Sequence, residues 1–330
     1  MTFWDQVVAM ATSPLMQRAM LAAVLVGAAA PVVGTFLVQR RMALMGDGIG
    51  HVALTGVALG WLVGSWAGLV PNGALAVPGA VVAAVVGSVV IELVRERGRT
   101  TGDLALALMF YGGIAGGVLL IKVAGGTNAN LMAYLFGSIS TVSPSDLVWT
   151  VALAAVVLVV GVGLRTALYA VSHDEEFARA SGLPTRALAM VVAVLAAVTV
   201  TVAMRVVGLL LVSALMIVPV AVAQLYARSF GRTMATASGV GVTVSVVGLV
   251  LTYWNDIPPG ATIVVLAIAV YAVSAALRPM VRRRAAASDP HPEMADDVLL
   301  ADSDDECQVP VPAPHRHPNA SVRADQVGRQ

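Results

Sequence analysis

Long apolar runs separated by short polar segments make up most of this chain. A helix needs about 20 apolar residues to cross the hydrocarbon core of a membrane. Nine stretches approach that length, at residues 19–38, 48–69, 78–94, 103–122, 146–164, 185–204, 206–227, 234–254 and 260–278. The sixth and seventh are separated only by Met204 and Arg205, so a count of eight stays open. The pattern predicts an all-α, polytopic helical membrane protein.

Composition supports the same fold class. The sequence is 58% hydrophobic and only 12% charged, whereas soluble domains carry about 25% charged residues. A soluble chain this apolar has too few polar groups to cover its surface, a demand that lipid removes. Residues 1–284 are therefore predicted to form one transmembrane domain, surrounded by membrane lipid and with no indication of a nucleic-acid partner.

The last segment of the chain is a different kind of polymer. Residues 285–330 are rich in proline, acidic residues and histidine, and poor in aromatic residues. Such a composition cannot bury enough apolar surface to offset the entropy lost on folding. The sequence predicts a disordered, acidic, histidine-containing cytoplasmic tail.

The distribution of basic residues predicts the orientation in the membrane, because loops rich in Arg and Lys stay cytoplasmic. With the N-terminus outside, fourteen arginines fall on the inner side, and Arg18, Lys122 and Arg205 stay outside. The opposite orientation would invert this bias. We therefore predict a multi-pass protein of the cytoplasmic membrane with an outside N-terminus and a cytoplasmic C-terminus.

The second apolar stretch carries candidate metal-binding chemistry. Asp47, His51 and Thr55 are each four residues apart, so a helix places them on one face. An adjacent stripe permits close approach of a neighbouring helix and consists of Gly48, Gly56, Gly60, Gly64 and Gly68. Ionisable groups inside a membrane are costly and usually functional, and a carboxylate with an imidazole suits Zn²⁺ or Mn²⁺. The alternative is an Asp–His pair that only neutralises itself between helices.

A polar inner loop follows the fifth stretch. Acidic residues at its start and a glycine at its end predict a short helix. Its residues are Asp174, Glu175, Glu176, Phe177, Ala178, Arg179, Ala180, Ser181 and Gly182.

The sequence lacks a Gly-rich phosphate-binding loop ending in Lys-Ser or Lys-Thr, and its one lysine, Lys122, falls on the outer side. The chain is therefore not expected to be an ATP hydrolase of that type. Energy for transport must come from a partner protein or from an ion gradient, and the residues themselves leave both open.

Four segments together resemble the metal-chelate-type ABC permeases of the zinc/manganese family, over residues 15–280. The first contains Arg40-Arg41, Gly46-Asp47, His51 and Gly56-Val57-Ala58; the others span residues 130–137, 176–182 and 207–228. Residues 130–137, Asn-Leu-Met-Ala-Tyr-Leu-Phe-Gly, look closest to zinc-type members.

The resemblance implies the permease fold of ABC metal importers and a homodimer of this chain. It also implies two partner proteins, a cytoplasmic ATPase that docks on residues 174–182 and an extracytoplasmic metal-binding protein. Asp47 and His51 would contact the ion in transit, with zinc favoured over manganese and no cofactor bound permanently. An ion-coupled secondary transporter is the alternative, but it would want several carboxylates in mid-membrane. A membrane scaffold would gain nothing from burying Asp47 and His51.

Overall fold

The computed structural model describes residues 12–68, 75–97, 102–125, 134–137, 144–254 and 257–287. Within these ranges the chain is all-helical, as the sequence predicts, and contains no β-strand. The helices are α1 (Pro14–Gln39), α2 (Met45–Trp66), α3 (Ala76–Glu96), α4 (Gly102–Val123), α5 (Pro144–Gly163), α6 (Arg165–His173), α7 (Glu175–Ala180), α8 (Thr185–Val207), α9 (Leu209–Gln224), α10 (Phe230–Trp254) and α11 (Pro259–Ala287).

Seven of the described helices are long and apolar enough to cross a membrane, namely α1 to α4, α8, α10 and α11. Helices α5 and α6 meet at a bend of 71° and make an eighth span if they are taken together. Helix α9 is apolar but has only 16 residues, fewer than a full crossing usually needs. Each of the nine predicted stretches corresponds to a helix, but nine full spans are not confirmed.

The break between the sixth and seventh stretches lies at Gly208, and not at Met204 and Arg205 as the sequence suggested. Helix α8 continues through both residues to Val207. Gly208 has a φ of +87°, a conformation that favours glycine. A Cβ on Gly208 would also meet the backbone of Phe136 and Gly137, which crosses at this point. The helix therefore ends where a second backbone segment leaves no room for a side chain.

Helix α1 lies inside the bundle and packs against α5, α8, α9 and α10. Every residue from 29 to 37 is buried, as expected for a helix that is surrounded by other helices. Close approach to α9 depends on Gly34, because a Cβ there would meet the carbonyl oxygen of Met216. Helix α1 therefore fixes the position of α9 relative to the rest of the bundle.

Helix α2 is held between α3 and α4. Two glycines of the predicted stripe face α3: a Cβ on Gly56 would meet the backbone of α3, and one on Gly60 would meet that of Leu75, just before it. The stripe does not reach its predicted ends: Gly48 faces Leu106 of α4, and Gly68 lies beyond α2, where an added Cβ would meet no other described residue within 4 Å. On the other side, a Cβ on Gly113 of α4 would lie only 2.6 Å from the carbonyl carbon of His51. Small residues thus bring both neighbours against the backbone of α2.

Helix α11 runs past the predicted end of the transmembrane domain at residue 284. It continues to Ala287, so the boundary between domain and tail stays a prediction. Residues 288–330 of the predicted tail lie outside the described residues, so its disorder stays a prediction.

Candidate functional site

Asp47 and His51 lie one turn apart in α2, with their side chains on the same face. The distance from Asp47 Oδ1 to His51 Nε2 is 3.7 Å. Asp47 stands in the first turn of the helix, where a carboxylate is favoured by the helix dipole. The two side chains can therefore reach one divalent ion from a single helix, as their spacing in the sequence predicts.

The imidazole of His51 is enclosed by α4. Its side chain is 8% exposed, and the ring of Phe110 packs against it edge to face with centroids 4.6 Å apart. His51 Nδ1 is buried and finds no hydrogen-bond partner within the described residues. A buried polar atom without a partner costs free energy. Packing against Phe110 holds the ring in place, and Nε2 is the nitrogen that faces Asp47.

A third polar group, which the sequence analysis missed, approaches the pair from α9. The Oγ of Ser213 lies 3.2 Å from Asp47 Oδ1 and 3.1 Å from the carbonyl oxygen of Leu209. Its one hydrogen serves only one of these acceptors at a time. When Ser213 donates to Asp47, it orients the carboxylate.

Asp47 opens onto a cavity of about 400 Å³ between the start of α2 and helix α4. Arg41 and Asp47 supply the charges of its lining, and Phe110 and Tyr111 supply much of its apolar wall. The side chain of Asp47 is 23% exposed and that of His51 is 8% exposed. The carboxylate is thus reached from the cavity, with the imidazole one turn deeper in the bundle.

The pair does not form a closed metal cage within one chain. The described residues contain no group of three or more His, Cys, Asp or Glu side chains close enough to hold a metal ion. Thr55, the third residue of the predicted face, instead donates a hydrogen bond of 2.8 Å to the carbonyl of Gly113. This bond joins α2 to α4, and it leaves Asp47 and His51 as the two candidate ligands of the predicted face.

Residues 174–182, the polar inner loop on which the ATPase is expected to dock, contain the short helix α7 with a cap at each end. Asp174 caps its start, where Oδ1 accepts a hydrogen bond of 2.9 Å from the backbone N–H of Phe177. Gly182, with φ +80°, ends it in a Schellman motif: the Gly182 N–H donates to Arg179, and the Leu183 N–H to Ala178. Phe177 is 67% exposed, so its ring is free to contact another protein.

The structure also reveals a buried acid that the sequence analysis did not single out. Glu92 of α3 is completely buried, and its Oε1 lies 2.9 Å from Arg40 Nη2 and 2.8 Å from Arg95 Nη2. The available signal was an acidic residue inside the third apolar stretch, and such residues are costly and usually functional. Its two arginine partners distinguish it from Asp47, which faces a cavity.

Comparisons with known proteins identify the family to which the chain belongs. A model of the family described as the ABC 3 transport family matches residues 12–278. The manganese import system permease protein ScaB of Streptococcus parasanguinis is 32% identical over 276 residues, covering 84% of this chain and 95% of that protein. The manganese transport system membrane protein MntC of Halalkalibacterium halodurans is 30% identical over 272 residues, covering 82% and 89%.

A solved structure shows the same likeness in three dimensions. PsaBC from Streptococcus pneumoniae in complex with Fab superposes with a TM-score of 0.72 at 30% identity, covering 83% of this chain and 95% of that one.

Proposed function

Because this chain belongs to the ABC 3 transport family of metal-ion permeases, we propose that it carries a divalent transition metal ion into the cell past Asp47 and His51. The observation that carries the proposal is the placement of a carboxylate and an imidazole 3.7 Å apart, beside a cavity at the start of α2. Two ligands hold an ion weakly, which suits a protein that must release it again.

We propose Mn²⁺ as the cargo, with Zn²⁺ as the competing ion. The carboxylate of Asp47, which the hydroxyl of Ser213 can orient, is a ligand of the kind that Mn²⁺ prefers, and imidazole suits both metals. The names of the relatives from Streptococcus and Halalkalibacterium support manganese. The sequence of residues 130–137 favours zinc, and residues 130–133 of this segment lie outside the described residues.

A second copy of the chain would complete the site. One subunit supplies two ligands, whereas divalent transition metals usually take four or more. In a homodimer, the same pair from each subunit would face a shared pathway and bring the protein ligands to four. Water would fill the remaining positions and exchange as the ion moves.

In this family ATP is hydrolysed by a separate subunit, and we propose that α7 is its docking point. The helix is short, is capped at both ends, and presents the exposed ring of Phe177 among charged residues. An aromatic side chain of this kind is a typical anchor of a protein interface. An extracytoplasmic metal-binding protein would deliver the ion from the other side.

The proposed docking point agrees with the predicted orientation in the cytoplasmic membrane. The fourteen-to-three division of basic residues in the sequence places residues 174–182 on the inner side. With the N-terminus outside, α2 begins at the inner side, so Asp47 is nearer to the cytoplasm than His51.

The test is metal uptake into lipid vesicles by the permease assembled with its ATPase. We expect ATP-dependent uptake of ⁵⁴Mn²⁺, competed less well by Zn²⁺. Asp47→Asn, which keeps the shape and removes the charge, and His51→Ala should both abolish uptake while assembly and ATP hydrolysis persist. Normal uptake by both variants would contradict the proposed site. Uptake that needs a proton or sodium gradient and no ATP would establish a secondary transporter instead.

A further inference from the structure

A continuous chain of ion pairs runs from α7 into the interior of the bundle. Arg95 Nη2 donates to Glu175 Oε2 at 3.0 Å and to Glu92 Oε1 at 2.8 Å. Arg40 Nη2 then donates to the same Glu92 oxygen at 2.9 Å. Arg179 of α7 pairs with the other carboxylate oxygen of Glu175 at 3.1 Å, so this chain of ion pairs joins three guanidinium groups through two carboxylates.

The side chains of these ion pairs become more buried from α7 towards the interior of the bundle. The side chains of Glu175 and Arg95 are 28% and 30% exposed, whereas Glu92 and Arg40 are 0% and 3% exposed. Burying an ion pair is often no better for stability than packing apolar groups of similar size. Stability alone therefore does not account for placing Glu92 and Arg40 inside the bundle.

The inner end of this chain of ion pairs lies in the turn that joins α1 to α2, the helix that carries Asp47 and His51. Arg40 is the C-cap of α1, and the next residue, Arg41, is the one non-glycine residue with a positive φ, +58°, in the described part of the chain. Two hydrogen bonds hold this turn, from the Arg41 N–H to Val38 and from the Met42 N–H to Leu37. A positive φ is strained for arginine and persists only where the surroundings impose it.

The same turn borders the proposed metal path. Arg41 and Asp47 both line the cavity of about 400 Å³, and α2 begins at Met45. A displacement of Arg40 would therefore move the start of α2 and the carboxylate that stands in its first turn.

We propose that Glu92 is a positioning residue of the transport cycle, which transmits movement of α7 through Arg95 and Arg40 to the start of α2. Glu92 does not touch the ion; it holds two arginines from different elements on one carboxylate oxygen. The inference rests on the proposed function, in which the ATPase moves α7 and Asp47 binds the ion.

The test compares four variants of the full permease–ATPase complex in lipid vesicles, measuring Mn²⁺ transported per ATP hydrolysed. Glu92→Gln removes the central charge. Arg95→Gln cuts the link to α7 but leaves Glu92 paired with Arg40, so it remains informative if Glu92→Gln does not fold. The controls are Glu96→Gln and Arg186→Gln. They make the same exchanges in a neighbouring ion pair, 3.7 Å apart, which is not part of the chain of ion pairs.

We expect the Mn²⁺-to-ATP ratio to fall by about fivefold or more in Glu92→Gln and Arg95→Gln, the size of a typical coupling between two sites. ATP hydrolysis should continue, and both controls should keep the normal ratio. A normal ratio in Arg95→Gln would overturn the inference. Uptake and hydrolysis could instead fall together, in proportion to the amount of assembled complex. That result would show that the ion pairs serve only stability, and it would also overturn the inference.

A second measurement separates this inference from the identity of the cargo. A spin label on Leu44, an exposed residue of the turn, is introduced as Leu44→Cys in a Cys307→Ser background. Binding of a non-hydrolysable ATP analogue to the complex should change the mobility of the label, and Arg95→Gln should remove that change. If the labelled complex that keeps Arg95 shows this response but moves neither Mn²⁺ nor Zn²⁺, the proposed function fails. In that case the link from α7 to the start of α2 stands. If Arg95→Gln keeps the response, the link itself is wrong.

Discussion

The hydroxyl oxygen of Ser213 lies 3.2 Å from the carboxylate of Asp47, although the two residues are 166 positions apart in the sequence. The contact joins α9, the short apolar helix, to the first turn of α2. It gives the candidate metal site a partner outside its own helix, and so connects the position of α9 with the orientation of a metal ligand.

Replacing Ser213 with Ala should weaken metal binding, because groups that orient a ligand typically contribute about 10- to 100-fold to affinity. We expect the half-saturating Mn²⁺ concentration for uptake to rise by about tenfold, with the assembled complex unchanged in amount. Ser245→Ala is the matched control, since Ser245 is also buried but belongs to α10 and has no partner among the described residues. If the two variants need the same half-saturating Mn²⁺ concentration, Ser213 has no part in metal binding. Its hydroxyl then serves only the hydrogen bond to the carbonyl of Leu209.

Adding a methyl group at Gly113 should disturb the site from the α4 side. A Cβ at this position would lie 2.6 Å from the carbonyl carbon of His51, so α4 must move away or α2 must shift. Such overpacking typically costs about 1–3 kcal/mol. We expect Gly113→Ala to lower the thermal stability of the purified permease and its Mn²⁺ uptake.

Gly112→Ala provides the control for this change on the same helix. A Cβ on Gly112 would meet no other described residue within 4 Å, and alanine is the better helix former. Its stability should equal or exceed that of the unmodified protein. Similar losses in both variants would mean that helix α4 tolerates no substitution here for reasons unrelated to His51.

Phe177→Ala should weaken binding of the ATPase without affecting the fold. The ring is 67% exposed, so its removal leaves no cavity in the permease, whereas truncating an interface anchor typically costs 2 kcal/mol or more, about 30-fold in affinity. Co-purification of the ATPase with the permease measures the effect. Trp66→Ala, which removes another exposed aromatic ring at the far end of α2, should leave co-purification intact. If the Phe177→Ala variant still co-purifies with the ATPase, the ring is not part of the proposed interface.

The single cysteine of the sequence, Cys307, tests the predicted orientation. A cytoplasmic tail should be protected from a membrane-impermeant maleimide in intact cells and should react once the membrane is opened. Cys307→Ser supplies the background for both measurements. Labelling of intact cells would place the C-terminus outside and contradict the orientation derived from the basic residues.

Local patterns in the sequence determined much of the fold and the helix-based part of the site. The nine apolar stretches correspond to helices because hydrophobicity over about 20 residues is a property of each segment alone. Asp47 and His51 share a face because the helical repeat places i and i+4 together. The ends of α7 were readable for the same reason, since the cap at Asp174 and the positive φ at Gly182 involve only neighbouring residues.

The tertiary structure decided what depends on helices brought together from distant parts of the chain. The sequence does not show that Ser213 reaches Asp47, that Glu92 pairs with an arginine 52 positions away, or that Thr55 bonds to Gly113. Apolar surfaces of similar composition pack against lipid or protein alike, so hydropathy does not specify which helix meets which. Close packing around small residues and the pairing of buried polar groups select those neighbours, and both require the three-dimensional arrangement.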